Sequence, residues 1–310
     1  MKKLSLLPLA AALMTGPALA EELDIGVSFF NLNERFIIGL RESLEQSAEA
    51  QGMDVNVEDA RNDIGRQLSQ VQNFIASGVD GIIVNPVHSD STSAMSRAAA
   101  EAGIPLVYVN RQPVDIDSLP DNQAFVGSDE RESGTLQTQE VCRQLDSEGK
   151  LLVMMGTLGD NAAEVRTQDI HDVIATPKCS GLEIVEQQDA DFQRIEGNNL
   201  MTNWLTSGLE FDAVIANNDE MAIGAIQALK NVGYDMDEVI VAGIDATSDA
   251  LAAMQAGELD ITVFQNGPGQ GEGAVDTLQR LIEGEDVDNA VWVPFELVTP
   301  DNLDEDVGRN

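Results

Sequence analysis

Short apolar runs alternate with longer amphipathic stretches along nearly the whole chain. Several of these runs are continuous Val, Ile and Leu, which is typical of strands that are buried on both faces of a parallel sheet. Eleven runs predict strands: Ile25–Phe29, Val55–Val57, Gly81–Val84, Leu106–Val109, Ala124–Val126, Leu151–Met155, Glu183–Val185, Ala213–Ala216, Val239–Ala242, Ile261–Phe264 and Val291–Val293.

The stretches between the strands carry the apolar period of helices. Examples are Phe36–Ala50, Leu68–Ala76, Ser133–Leu145, Glu220–Asn231 and Ala274–Ile282. Repeated strand–helix alternation predicts an α/β protein with parallel sheets. Because eleven strands are too many for a typical open twisted sheet, we expect two sheets and two lobes.

Two further features refine this layout. The polar segment Gln112–Gln123 contains Pro113 and Pro120 and predicts a loop near the first crossing between the lobes. Trp204 stands in a helical pattern and Trp292 in a strand pattern, so we expect both side chains in the core.

The first twenty residues have the pattern of a secretory signal peptide. Lys2 and Lys3 precede an apolar run over Leu4–Met14, and Ala18–Ala20 forms a small-x-small cleavage pattern. The run is too short for a membrane-spanning helix, which needs about 20 residues. We therefore expect an exported mature chain that starts at Glu21.

Acidic residues dominate the composition. The 310 residues include 54 Asp and Glu against 17 Lys and Arg, which gives a formal net charge of −37. This excess argues against a nucleic-acid-binding protein, because contacts to phosphates need clustered cations. The even spread of the acids predicts an acidic, well-solvated surface rather than one particular partner.

The cysteines and histidines are few. Cys142 and Cys179 are compatible with one disulfide in an oxidising compartment, and equally with two buried free thiols. The histidines are His88 and His171, and neither has a partner visible in the sequence. We therefore assign them no chemistry and expect neither a metal nor a cofactor.

Motifs of enzymes are missing from the sequence. It has no phosphate-binding Gly-x-x-x-x-Gly-Lys loop and no Gly-x-Ser-x-Gly elbow. The glycine-rich run Gly267–Gly273 lacks the third glycine of a dinucleotide fingerprint and predicts a turn or a helix start. A secreted sugar-modifying enzyme is therefore only a remote alternative.

Polar planar side chains stand where several predicted strands end: Asn110, Arg111, Asn218, Asp219, Asp245 and Gln265. In open α/β sheets, ligands bind outside the carboxyl ends of the strands. Side chains of this kind offer fixed forks of donors and acceptors, which suit adjacent hydroxyls on a polyol ring. We expect Asp219 to cap the helix that starts at Glu220 rather than to contact ligand.

The chain resembles the periplasmic sugar-binding proteins of the ribose type over essentially its whole mature length. The resemblance rests on Phe74–Asp80, Ile83–Pro86, Val109–Gln112, Asn217–Ala222 and Gly243–Thr247. Four further segments resemble the inositol- and rhizopine-binding branch of that family: Gln67–Gln70, Leu106–Pro113, Arg166–Val173 and Met201–Leu205. The pair Cys142 and Cys179 is also similar to that branch.

The resemblance implies a ligand site that both lobes share. Phe36 and Phe192 match aromatic residues that stack on the ring from either side. Asn110 and Arg111 match the pair of the N-terminal lobe that binds adjacent hydroxyls, although ribose binders carry Asp at the position of Asn110.

The C-terminal lobe and the hinge supply the other implied ligands. Arg166 matches the arginine of the C-terminal lobe, and Asn218, Asp245 and Gln265 match the remaining hydroxyl ligands, with Gln265 on a hinge strand. Glu34 is a ninth candidate, in a loop that departs from the patterns of both branches.

The resemblance also implies an organisation and a function. We expect a type I periplasmic binding protein, with two Rossmann-like lobes joined by three hinge crossings. Residues 1–20 form the signal peptide, residues 21–127 plus 266–296 the N-terminal lobe, and residues 128–265 plus 297–310 the C-terminal lobe.

The expected ligand is a small neutral cyclic polyol, myo-inositol or a related cyclitol, with ribose or another monosaccharide as the alternative. The expected partners are this ligand and the inner-membrane permease of an ABC importer, and a chemoreceptor is a further candidate.

Overall fold

The structure is a computed structural model that describes residues 22–306. The predicted signal peptide and Glu21, the predicted first residue of the mature chain, lie outside the described residues. Among the described residues, no helix combines the length and the apolar character that crossing a bilayer requires.

The first sheet has six parallel strands in the order β11-β5-β4-β3-β1-β2. These strands are β1 (Leu23–Phe29), β2 (Met53–Asp59), β3 (Gly81–Asn85), β4 (Leu106–Val109), β5 (Gln123–Gly127) and β11 (Ala290–Trp292). The continuous apolar runs at β3 and β4 are buried throughout, because helices cover both faces of the sheet.

The second sheet has four parallel strands in the order β7-β6-β8-β9. They are β6 (Glu148–Met155), β7 (Gly181–Asp189), β8 (Ala213–Ala216) and β9 (Ile240–Ala242). A third, two-stranded antiparallel sheet joins β10 (Thr262–Gln265) to β12 (Phe295–Val298). Isolated bridges connect Ile261, just before β10, to the end of β9, and Phe264 of β10 to Asp245 in the turn after β9.

Ten helices surround the sheets in the described part of the chain. They are α1 (Arg35–Ala50), α2 (Ile64–Ser77), α3 (Thr92–Ala102), α4 (Glu130–Gln144), α5 (Asn161–Ile174), α6 (Arg194–Ser207), α7 (Asp219–Asn231), α8 (Ser248–Gln255), α9 (Gly267–Ile282) and α10 (Leu303–Asp306). Helix α9 comes late in the chain but packs on α1 and on the first sheet.

The chain passes between the two sheets three times. The passages lie between β5 and α4, between β10 and α9, and between β11 and β12. The predicted α/β fold with two lobes, parallel sheets and three crossings is therefore confirmed. We call the elements around the first sheet the N-terminal lobe and those around the second sheet the C-terminal lobe.

Three details differ from the sequence predictions. All eleven predicted strands overlap observed strands, but β12 was not predicted, because it is a short strand of mixed burial. The segment Gln112–Gln123 lies within the N-terminal lobe, between the neighbouring strands β4 and β5, and not at a crossing. Trp204 is buried as expected, whereas Trp292 stands on the edge strand β11 and is 48% exposed.

A disulfide bond joins α4 to the loop before β7. It links Cys142 and Cys179, which are 37 positions apart, and both cysteines pack among the apolar residues between α4, α5 and the second sheet. The alternative of two free thiols, which the sequence leaves open, does not apply to this structure. The bond closes a stretch of chain that contains β6 and α5.

Removing this bond should destabilise the folded chain. A cross-link over a loop of this length restricts the unfolded chain, so Cys142→Ser with Cys179→Ser should lower the free energy of unfolding by about 2–4 kcal/mol. Urea unfolding, followed by circular dichroism, measures this free energy of unfolding. The reduced wild-type chain is the matched control. An unchanged urea midpoint in both samples would contradict the prediction.

Candidate functional site

A cavity of about 570 Å³ lies between the two lobes. Strand and helix ends from both lobes contribute side chains to its wall. All nine residues predicted from the sequence line it: Glu34, Phe36, Asn110, Arg111, Arg166, Phe192, Asn218, Asp245 and Gln265. Their shared position follows from the parallel sheets, whose carboxyl ends face each other across the cleft.

Arg111 reaches across the cleft from the N-terminal lobe. Its guanidinium carbon lies 3.6 Å from the centre of the Phe30 ring, and its Nη1 donates to the carbonyl oxygen of Val87 at 2.8 Å. Its Nη2 lies 3.1 Å from Oδ2 of Asp160 in the C-terminal lobe. The guanidinium is thus fixed by its own lobe and paired with a carboxylate of the other lobe.

Arg166 is held from several sides in the C-terminal lobe. Its Nε donates to Oε2 of Glu130 at 2.7 Å, its Nη2 to Oε1 of the same carboxylate at 3.2 Å, and its Nη1 to the carbonyl oxygen of Asn217 at 2.7 Å. Burial alone would lower the pKa of Arg166, but Glu130 and Asp245 raise it, so the charge is retained. Nη2 also lies 3.4 Å from Oε1 of Gln265.

Gln265 ends strand β10 at the second crossing. Its side chain is 2% exposed, and Oε1 faces Arg166. Its Nε2 is buried without a hydrogen-bond partner in the protein. A buried donor of this kind costs free energy until it is paired, so it favours a ligand oxygen in the cavity.

Asp245 follows β9 in a strained turn. Its φ is 122° and that of Ala246 is 52°, although neither residue is glycine. Burial raises the pKa of Asp245 well above its usual range, and the Arg166 guanidinium acts in the opposite direction. The carboxyl group therefore lines the cavity within the electrostatic influence of the Arg166 guanidinium.

Asn110 and Asn218 occupy equivalent positions in the two lobes, directly after β4 and shortly after β8. Asn110 has a left-handed backbone (φ 66°), and its Nδ2 donates to Oε1 of Gln270 at 3.2 Å. Asn218 accepts a hydrogen bond from the backbone N–H of Met221 and donates to the carbonyl oxygen of Phe192 at 3.2 Å.

The predicted cap of helix α7 is wrong by one residue. The helix begins at Asp219, and Asn218 caps it, because the Asn218 oxygen accepts from a backbone N–H of the first turn. The Asp219 carboxylate turns away from the helix start and accepts from Thr247 and Thr262.

The two aromatic side chains face the cavity from opposite lobes. A Cβ atom at Gly156 would lie only 2.1 Å from the Phe192 ring, so the missing side chain at this position admits the ring. Phe36 lies against Gly267 at the start of α9, with a distance of 3.2 Å to a Cβ placed there. Both rings are partly buried at the edge of a core cluster, which leaves surface for a ligand.

Glu34 lines the cavity just before helix α1. Its Oε1 accepts from Nε2 of Gln193 in the C-terminal lobe at 2.9 Å. Burial raises the pKa of Glu34, while the Gln193 hydrogen bond and the charge of Arg111 lower it. Together with the Arg111–Asp160 pair, this contact joins the lobes across the cavity.

Several further residues of the cavity wall carry no signal in the sequence. Phe30 and Asp160 contact Arg111, and Glu130 is paired with Arg166. A single phenylalanine after a strand, or two acids among 54, does not reveal such a role in the sequence. His88, to which we assigned no chemistry, also lines the cavity, with Nδ1 3.9 Å from Asp90.

The other histidine lies elsewhere in the fold. Nε2 of His171 is 2.9 Å from Oε1 of Gln187. Within residues 22–306, no three His, Cys, Asp or Glu side chains are grouped so that they could hold a metal ion.

Comparison with known proteins identifies the family of this two-lobed molecule. Residues 25–286 match the family model described as a periplasmic binding protein domain. The chain belongs to the periplasmic binding protein family. It is therefore a binding protein and not an enzyme, and the resemblance inferred from its motifs is confirmed.

Two relatives show which kinds of binding protein this chain is similar to. It is 57% identical over 311 residues to the "Putative rhizopine-binding protein" of Rhizobium meliloti, with 100% of both chains covered. It is 32% identical to the ribose import binding protein of Bacillus subtilis, over 90% of this chain and 88% of that protein.

A solved structure is similarly close. An ABC transporter solute binding protein from Bacillus halodurans with bound myo-inositol has a TM-score of 0.87 and 44% identity. The match covers 93% of this chain and 98% of that one.

Breaking the Arg166–Glu130 pair should destabilise the C-terminal lobe. Glu130→Gln removes the counter-charge that is hydrogen-bonded to the buried guanidinium, so we expect a loss of about 3–5 kcal/mol in the free energy of unfolding. Urea unfolding measures it, and Glu132→Gln, on the exposed side of the same helix, is the matched control. Equal stability of the two variants would contradict this account of Arg166.

Proposed function

We propose that the chain is the periplasmic substrate-binding protein of an ABC importer and that it closes on myo-inositol or a related cyclitol. The observation that supports this proposal is a cavity between two lobes. Its wall combines buried side chains that offer hydrogen-bond donors and acceptors with two aromatic rings. The myo-inositol-bound relative and the rhizopine-binding relative support a cyclitol ligand. The ribose import relative keeps ribose as the alternative.

The geometry suits a ring with hydroxyls on all sides. Arg111 lies on the wall of the N-terminal lobe, and Arg166 and Gln265 lie together on the wall of the C-terminal lobe, so hydroxyls on both edges of a ring can be paired at once. Phe36 and Phe192 can cover the C–H faces, which are the apolar surfaces of a cyclitol. Closure then removes water from the cavity, so every hydroxyl that lacks a partner weakens binding.

The charged side chains in the cavity wall restrict the charge that a ligand can carry. Five carboxylate residues line the wall, and two arginines oppose them: Glu34, Glu130, Asp160, Asp191 and Asp245 against Arg111 and Arg166. This excess disfavours anionic sugar phosphates and tolerates a positive group on the ring. A cyclitol with one amino group is therefore the second candidate ligand.

Closure and transport follow from the same layout. The hinge lies at the three crossings between the N-terminal lobe and the C-terminal lobe. The closed form docks on the permease in the inner membrane, and a chemoreceptor is a further candidate partner. In this proposal the mature protein works in the periplasm after removal of residues 1–20, and the family of periplasmic binding proteins supports that location.

Calorimetry against a ligand panel tests the ligand class. We expect myo-inositol, scyllo-inositol or an amino-substituted inositol to bind more tightly than ribose and glucose, because a cyclitol ring presents hydroxyls to both walls. An inositol phosphate should bind worst of the cyclitols, because carboxylates repel it. Binding of ribose without any binding of a cyclitol would contradict the proposed ligand class.

Substitution of cavity residues tests the site. Arg111→Ala and Asp245→Ala should each weaken binding of the preferred cyclitol by about tenfold or more, since each removes a polar group that can bond a ring hydroxyl in the closed cavity. Arg131→Ala and Asp121→Ala, at exposed positions away from the cavity, are the matched controls. Near-native binding in both cavity variants would contradict the proposed site.

A further inference from the structure

Asp219 lies behind the wall of the cleft without lining it. It is the first residue of α7, and its side chain is 0% exposed. A buried carboxylate is costly unless its oxygens accept hydrogen bonds. The groups that Asp219 pairs with therefore indicate what it does in the fold.

These groups belong to the turn after β9 and to the strand beside it. Oδ2 of Asp219 accepts from the backbone N–H of Thr247 at 2.7 Å, and Oδ1 accepts from the Thr262 hydroxyl at 2.8 Å. Oγ1 of Thr262 in turn accepts from the backbone N–H of Ala246 at 3.1 Å. The backbone N–H of Asp219 donates to the carbonyl oxygen of Ile244 at 2.8 Å.

The turn held by these bonds is strained. Asp245 and Ala246 are consecutive non-glycine residues with φ values of 122° and 52°. Backbone in this region persists only where the surrounding contacts hold it. The hydrogen bonds to Ile244, Ala246 and Thr247 enclose the strained pair on both sides.

The position before the turn is shaped to admit the carboxylate. A Cβ atom at Gly243 would lie 2.2 Å from Oδ1 of Asp219 and 3.1 Å from its Cα. Any larger residue at 243 would displace the carboxylate from the turn. Glycine is thus required here by the close approach of Asp219.

We propose that Asp219 is a positioning residue for the cleft, which holds the turn at Asp245 and Ala246 through Thr247 and Thr262. It thereby fixes the direction of the Asp245 side chain and the register of the strand that ends in Gln265. The inference rests on the proposed function, in which Asp245 and Gln265 contact the ligand.

We expect an amide at position 219 to keep the contacts to Thr247 and Thr262. Burial raises the pKa of Asp219 to about 7, against the lowering effect of the hydrogen bonds from Thr247 and Thr262. In Asp219→Asn, the amide oxygen can still accept from the Thr247 N–H, and the bond to Thr262 can persist in the reverse direction, with the amide nitrogen donating to Oγ1 and the hydroxyl proton turned away. Asp219→Ala keeps neither bond.

Calorimetry with myo-inositol, or with the best ligand of the panel, compares these variants. We expect Asp219→Ala to weaken binding by about tenfold or more and Asp219→Asn to stay within about threefold of the wild type. If Asp219→Ala does not fold, Thr262→Val removes only the hydroxyl and should weaken binding by about tenfold. Thr138→Val, at a buried hydroxyl without a partner in the same lobe, is the matched control.

A rescue separates positioning from general stability. Glycine adopts a positive φ without strain, so Ala246→Gly should restore most of the affinity that Thr262→Val loses. A merely structural role of Thr262 would not be reversed by a smaller residue in the core. Equal affinity losses in Thr262→Val and Thr138→Val, or no rescue by Ala246→Gly, would overturn the inference.

Amide hydrogen exchange keeps this test independent of the ligand. Thr262→Val should raise the exchange rates of the Ala246 and Thr247 amides in the ligand-free protein, because their acceptor network is broken. If the wild type binds no polyol of the panel, the proposed function fails while this readout still decides whether the turn is held. Unchanged exchange at both amides would overturn the positioning role itself.

Discussion

Burial of the Arg166 guanidinium where the lobes meet is the constraint on which the cleft depends. A cation in this position is tolerated only with a full set of acceptors, and Glu130, the end of β8 and Gln265 supply them. These acceptors come from the helix after the first crossing, a central strand and the strand before the second crossing. One side chain therefore ties the fold of the C-terminal lobe to the geometry of the hinge.

Other polar contacts of the cleft connect the N-terminal lobe to the C-terminal lobe. The Arg111–Asp160 pair and the Glu34–Gln193 hydrogen bond connect opposite walls of the cavity. Arg111 is also stacked on Phe30 and bonded to the backbone of its own lobe, so it presents a fixed donor to whatever enters. The same contacts that close the lobes thus also set the positions of ligand-binding groups.

Much of this architecture could be predicted from the sequence, because buried parallel strands carry a strong local signal. The runs at β3, β4 and β8 are continuous apolar residues, and the polar residues that follow strands such as β4 mark the ligand side of each sheet. The nine cavity residues were found in this way together with the motif resemblance, and all lie on one cavity. Whether they bind ligand stays a prediction.

The missed features depend on contacts between residues that are distant in sequence. Glu130 and Asp160 are two acids among 54, and only the folded chain shows that each faces an arginine. Asp219 resembles an ordinary helix cap until the turn after β9 is placed beside it. Trp292 was expected in the core because a strand pattern does not reveal that its strand lies at an edge.

A crystal structure of the mature protein grown with myo-inositol tests the central claim most directly. The account predicts electron density for one ring between Phe36 and Phe192, with ring hydroxyls within hydrogen-bond distance of Arg166, Asp245 and Gln265. A ring bound outside this cavity, or a closed cleft in which these side chains contact only each other at saturating ligand, would contradict it.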